Sequence, residues 1–217
     1  MATPEINDVS KWFDRDLEDY IHERKRLVEP GENKDDEQVK DVLDLPERTH
    51  IHLDKMVFED LGRWRFNAFQ YAELLEDKLI AHFVIKIFTY YGIVEKFSIP
   101  LMCLRDLCNQ IQLGYSDKNP YHNALHAVDV TYRVNYFYLT GQLMKHLSDL
   151  DFFALIMASI LHDFQHPGVN NRFLVTMKHK KAIMYNDKSV LEMHHIASAY
   201  EKLLDTNNDI FIEMSED

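Results

Sequence analysis

Ser148-Asp149-Leu150-Asp151-Phe152-Phe153-Ala154-Leu155-Ile156-Met157-Ala158-Ser159-Ile160-Leu161-His162-Asp163 is the stretch that decides the fold. Ser148 and Asp151 stand three apart, the spacing of a capping box in which each side chain serves the other residue's backbone N–H. The run that follows is apolar on nearly every side, which predicts a helix buried at the centre of the molecule. His162 and Asp163 close that helix, so a stiff apolar rod would carry an imidazole and a carboxylate to the edge of the core.

Working outward, helical signatures follow one another and strand-like alternation is nearly absent. Leu75, Leu79, Phe83, Ile87 and Tyr90 recur at three- and four-residue steps, predicting a helix over 74–91 with Gly92 as its stop. Pro100 can open the next, which runs to about Leu113 before Gly114. Asn119-Pro120 reads as an N-cap followed by proline at the first helical position. A further helix is expected over 189–204. The fold class is all-α. Residues 1–49 hold 15 acidic and 8 basic side chains, together with Pro30-Gly31 and the acidic run Asp35-Asp36-Glu37. They read as an acidic, partly ordered leader, and residues 50–217 as the folded region.

Hydrophobic residues make up 46% of the chain, enough for a sizeable core. A formal net charge of −12 with no basic stripe argues against nucleic-acid binding through phosphate neutralisation. Cys103 and Cys108 have neither zinc-knuckle nor thioredoxin spacing and read as core thiols. There is no Asn-x-Ser/Thr sequon and no hydrophobic signal region, and the apolar runs are too short or interrupted to span a bilayer. A reducing, soluble, cytoplasmic setting is therefore expected. Asp205-x-Asn207-x-Asp209 with Glu216 has EF-hand-like spacing, but Ile210 stands where the sharp turn demands glycine, so an acidic interhelical loop is expected there.

Six of the twelve histidines sit in three short motifs. They are Tyr121-His122-Asn123-x-x-His126-Ala127-x-Asp129, His162-Asp163-x-x-His166-Pro167-Gly168 and Glu192-x-His194-His195. Imidazole and carboxylate suit divalent cations, and one carboxylate can bridge two of them. His122 and His126 are four apart, which would place both on one helical face. Pro167 disfavours helical geometry at His166, so His166 is expected on a turn to which Gly168 lends its conformational freedom. Because the side chains of an adjacent His-Asp pair diverge, the histidine can hold one metal while the aspartate reaches toward a second. Two cations about 3.5–4 Å apart would lower the pKa of a shared water and stabilise charge on a phosphoryl centre.

These strings resemble those of the class I cyclic nucleotide phosphodiesterases. The resemblance rests on Asn119-Pro120-Tyr121-His122-Asn123-Ala124-Leu125-His126-Ala127-Val128-Asp129-Val130, on His162-Asp163-Phe164-Gln165-His166-Pro167-Gly168-Val169-Asn170-Asn171, and on Tyr185-Asn186-Asp187-Lys188-Ser189-Val190-Leu191-Glu192-Met193-His194-His195. It runs from roughly residue 54 to the end and corresponds to the N-terminal and middle part of that family's catalytic domain. It implies a compact multi-helix fold of the HD type and hydrolysis of the 3′ phosphoester of cAMP or cGMP to the 5′ monophosphate in signal transduction. His126, His162 and Asp163 would bind the tighter metal, zinc, and Asp163 would bridge to a second, magnesium or manganese. His122 would be the general acid and Tyr121 would line the substrate pocket. His166, Glu192 and His195 would support the second metal's waters, with Asn171 nearby as a structural polar group. The implied partner is the cyclic nucleotide, without nucleic acid or a membrane span, and with room for a protein partner or a second copy.

Two departures stand out. The family's Glu-Asn-His-His reads Glu192-Met193-His194-His195, so a thioether replaces an amide. The chain also stops at Asp217, where the family continues into a helical stretch carrying a second aspartate ligand, the glutamine that grips the base and the clamp around the purine. The catalytic domain is thus expected to be C-terminally incomplete. His122 is expected in the first turn of its helix, where the dipole disfavours imidazolium. An acid at that position needs a carboxylate partner, expected from beyond Asp217. Two other readings remain open: a truncated, non-catalytic regulatory product that binds a partner, and an HD-type phosphohydrolase acting on another phosphoester.

Overall fold

Ser148 and Asp151 form the capping box their spacing predicts. Ser148 Oγ accepts from the Asp151 amide at 3.2 Å, and the Asp151 carboxylate accepts from the Ser148 amide at 2.9 Å. This computed structural model describes residues 34–59, 64–205 and 209–214. Among them the α-helices are α1 (Lys34–Leu43), α2 (Glu47–Asp54), α3 (Ala68–Glu73), α4 (Leu79–Tyr90), α5 (Ile93–Lys96), α6 (Leu101–Gly114), α7 (Ala124–Thr140), α8 (Asp149–Leu161), α9 (Asn171–Thr176), α10 (Lys180–Met184) and α11 (Val190–Leu203). No strand occurs among the described residues, so the all-α reading holds.

The helix buried on every side is α4, not α8. Every α4 residue except Thr89 is buried, and α1, α6, α7 and α8 pack around it. Its two buried titratable nitrogen groups are partnered: Lys86 lies 3.0 Å from Asp54, and His82 Nδ1 bonds to the Tyr71 hydroxyl. α8 buries Phe152, Phe153, Ile156, Met157, Ser159 and Ile160 but leaves Ala154 and Ala158 open and Leu150 53% exposed. That open side forms, with Ile196, Ala199, Tyr200 and Leu203 of α11, a groove of about 460 Å3. An apolar helix circumference does not guarantee burial all round, because the neighbour on one side need not close over it.

The run at 74–91 is also not one helix. α3 ends at Glu73, a single 3-10 turn covers Glu76–Lys78, and α4 begins only at Leu79. Long-range polar contacts hold the break. Lys78 Nζ donates to the carbonyls of Leu43 and Asp44 at the end of α1, at 3.2 and 2.7 Å, and Gln112 Oε1 accepts from the Ile80 amide at 2.9 Å. Gly92 stops α4 as expected, with φ +68. Pro100 precedes α6, and α11 matches the helix expected over 189–204.

α1 falls within the acidic leader, yet Val39 and Leu43 are each 1% exposed and belong to the main core cluster against α4 and α6. The core therefore begins before residue 50. Cys108 is buried and Cys103 packs against the same core from a partly buried position. Burial pushes the Cys108 thiol well above its ordinary pKa, so it stays protonated. A satellite cluster of Leu174, Ala182, Val190 and Leu191 ties α9 and α10 to the start of α11. No helix of the described residues is long and apolar enough to cross a membrane. Asn207 and Glu216 of the EF-hand-like spacing lie outside the described residues.

Candidate metal centre

α8 delivers His162 as its C-terminal cap residue, with Asp163 next to it. The His162 ring is oriented by its own helix: Nδ1 lies 2.8 Å from the Ser159 carbonyl. A carbonyl only accepts, so Nδ1 carries the proton and Nε2 presents a lone pair. α7 supplies His126, but it does not start where the proline suggested. Its N-cap is Asn123, whose side chain accepts from the His126 amide at 3.1 Å. His122 therefore precedes the helix and does not share a helical face with His126. Asn119 does not cap the helix; it donates from Nδ2 to the carbonyls of His122 and His166.

Three ligand atoms converge. His162 Nε2 lies 3.3 Å from His126 Nε2 and 3.1 Å from Asp163 Oδ2, and His126 Nε2 lies 3.3 Å from the same oxygen. Zinc bonds of about 2.0–2.1 Å in tetrahedral geometry imply ligand–ligand edges of about 3.3–3.4 Å, so this triangle fits such an ion. Asp163 also turns its other oxygen, Oδ1, toward His195 Nε2 at 3.8 Å. Asp163, His166 and His195 form a second group whose ligand atoms lie within 4.8 Å of one another. Both groups could hold a metal ion, and they share Asp163.

The second group contains opposite tautomers. His195 Nδ1 bonds to the Phe164 carbonyl at 2.6 Å, which leaves a lone pair on Nε2. His166 Nδ1 instead accepts from the Gly168 amide at 3.0 Å, so in its neutral form Nε2 carries the proton and can donate. His166 lies beyond α8 on a turn, with Gln165 at φ +57 and Gly168 at φ +78. Burial, helped by the neighbouring His122, lowers the His166 pKa to about 4. Burial also lowers His126 and His195, which favours their neutral rings, and His195 keeps its Nε2 lone pair toward Asp163.

His122 stacks on His166 with centroids 3.9 Å apart and planes within 14°, and its Nε2 lies 4.0 Å from Asp163 Oδ2. Tyr121 is 61% exposed beside His126, with ring centroids 4.5 Å apart. Glu192 reaches the same rim. Asn171 Nδ2 donates to its carboxylate at 3.0 and 3.4 Å, which holds the Glu192 pKa below the usual carboxylate value. Asn171 Oδ1 in turn accepts from the Leu191 amide at 2.8 Å. The structure thus gathers Tyr121, His122, His126, His162, Asp163, His166, Glu192 and His195 around one centre. Met193 does not join them and is half exposed. His194 turns aside to Lys181 Nζ at 2.6 Å and Ser198 Oγ at 3.2 Å. Lys181 gave no signal in the sequence beyond being one of a pair of lysines.

A sequence profile described as 3'5'-cyclic nucleotide phosphodiesterase matches residues 121–217, a range that includes every residue of both ligand groups. This stretch belongs to the cyclic nucleotide phosphodiesterases. The chain is similar to the 3',5'-cyclic-AMP phosphodiesterase 4 of Dictyostelium discoideum, 34% identical over 81% of this chain and 17% of the relative. It is also similar to the human dual specificity calcium/calmodulin-dependent 3',5'-cyclic nucleotide phosphodiesterases 1C and 1B. Each is 36% identical over 73% of this chain, covering 23% and 30% of the relative. The chain thus spans less than a third of the length of these relatives.

Proposed function

We propose that this chain carries metal-dependent hydrolysis of the 3′ phosphoester of cAMP or cGMP to the 5′ monophosphate, in a cytoplasmic setting. The observation that carries the reading is the convergence of His126 Nε2, His162 Nε2 and Asp163 Oδ2 at 3.1–3.3 Å, beside the accessible Tyr121 and His122. His126, His162 and Asp163 would hold zinc, and Asp163 would share magnesium or manganese with the His166 and His195 side. Such a pair of ions supplies Lewis acidity at the phosphoryl group and an activated water.

The remaining work falls to the side chains. Tyr121 offers its exposed ring to the nucleoside. His122 gives a proton from Nε2 to the 3′ oxygen as the bond from phosphorus to that oxygen breaks, so the leaving group departs as an alcohol. The His166 Nε2 proton donates, and the ionised Glu192 carboxylate accepts, which lets the two sides of the rim orient water. His195 keeps its Nε2 lone pair toward Asp163.

The test is turnover by the purified chain supplied with zinc and magnesium. Release of 5′-AMP and 5′-GMP is followed by chromatography, with and without chelator. The expected result is metal-dependent turnover that His122→Ala abolishes while zinc binding persists. Loss of zinc binding and turnover together in His122→Ala would overturn the acid role. A non-catalytic, partner-binding product is the second reading, favoured by the open apolar groove between α8 and α11. It predicts zinc binding without hydrolysis of either nucleotide.

A further inference from the structure

Asn119 lies in none of the ligand groups, yet its side chain joins the two segments that enclose them. One amide hydrogen on Nδ2 goes to the His122 carbonyl at 3.1 Å and the other to the His166 carbonyl at 2.8 Å. Its own carbonyl accepts from Asn123 Nδ2 at 3.0 Å, which fixes the residue that caps α7 below His126. Asn119 Oδ1 lies against Gly168, where an added Cβ would come within 2.6 Å of it. Four separate contacts therefore run from one carboxamide residue to the segment before α7 and to the turn after α8. Those segments carry the rings of His122 and His166, stacked at 3.9 Å.

We propose that Asn119 is a positioning residue: its carboxamide clasps the His122 segment to the His166 turn and thereby sets the stacked pair against Asp163. This rests on the metal-centre reading above and assigns to it a residue that belongs to neither ligand group. Both hydrogens of the amide are used, so the clasp depends on a planar donor with two N–H bonds. An isosteric carboxylate would turn oxygen toward two carbonyl oxygens and would repel them. The His166 turn is the more sensitive side. It is a short, left-handed excursion at Gln165 and Gly168, and Asn119 is the side chain donating to its carbonyl. The zinc triangle is held differently, by α7 and by the last turn of α8, and so it should tolerate the loss better.

The experiment compares the full chain with Asn119→Asp and Asn119→Ala in two measurements. Hydrogen exchange of the metal-free proteins should show faster exchange in both variants at residues 121–126 and 166–168 together, with α4 unchanged. Acceleration in one segment alone, or none, overturns the clasp. Manganese titrated into zinc-loaded protein should bind about 10–100-fold more weakly in both variants, the range seen when an outer partner of a metal site is removed, while zinc affinity changes much less. A general loss of structure would instead weaken both metals alike and speed exchange in α4. That result also overturns the positioning role. If the unaltered chain binds neither metal, the metal-centre reading fails, and the clasp then stands or falls on the exchange data alone.

Discussion

Gly114→Ala tests whether the last residue of α6 governs a metal site it never touches. A Cβ added at Gly114 would lie 2.0 Å from Phe164 Cε2 and 2.5 Å from its Cζ. Carbon atoms settle at about 3.5–4.0 Å, so the ring must retreat by roughly 1.5 Å or more. It has little room, being 0% exposed and packed edge-on against Tyr115, whose hydroxyl donates to the Ile160 carbonyl at 2.8 Å. Alanine would gain at most about 1 kcal/mol of helix propensity over glycine, and less at a helix end. Overpacking of a filled core costs about 1–3 kcal/mol. The clash wins, and a net loss of about 1–2 kcal/mol should lower the melting temperature by about 2–8 °C for a chain of this size. The backbone of Phe164 follows Asp163, and its carbonyl orients His195. Zinc affinity, read by competition with a chromophoric chelator, should therefore fall about tenfold as well. An unchanged or raised melting temperature with undiminished zinc affinity would refute the reasoning. It would mean that the ring yields without moving the residues on either side of it.

Two further outcomes follow from the same contacts. Ser148→Ala removes the acceptor for the Asp151 amide at the start of α8 and should cost about 0.5–2 kcal/mol, measured as a lower urea midpoint. No change in midpoint would mean that packing alone sets where α8 begins. Burial holds His166 and His194 at about 4, against an ordinary histidine value of 6.5. The unfolded chain therefore binds protons that the folded one refuses, so stability is full above about pH 6.5 and is lost as pH falls toward about 4. Urea midpoints of metal-free protein should decline across that window. A flat profile would show these rings to be as freely protonated as in water.

What could be read from the sequence was local. Ser148 and Asp151 act through neighbouring backbone, and Pro167 restricts the residue just before it, so the capping box and the turn at His166 were legible. The grouping of histidines and acids was legible because imidazole and carboxylate are chemically distinctive and their motifs are short. What escaped was decided at a distance. The break before α4 depends on Lys78 reaching α1 and on Gln112 of α6 receiving the Ile80 amide. Asn119 does not cap α7 but donates to the His166 carbonyl, 47 residues away. Histidine tautomers are set by the carbonyls of Ser159 and Phe164 and the amide of Gly168, and main-chain groups leave no mark in composition. α4 and α8 look equally apolar, and only the position of α11 tells which of them keeps an open side.

At the centre, the His162 Nε2 lone pair, the Asp163 carboxylate and His126 Nε2 face one another at 3.1–3.3 Å. His162 Nε2 and the Asp163 carboxylate, 3.1 Å apart, present only electron density to each other and would separate if they could. Here the last turn of α8 and the capped start of α7 deny them the freedom. Folding itself bears the cost of bringing them together, so a cation binding there would meet a receptor that needs little reorganisation. Uptake would then resemble filling a socket, unlike a zinc finger, in which the chain acquires its shape only as it closes around the ion.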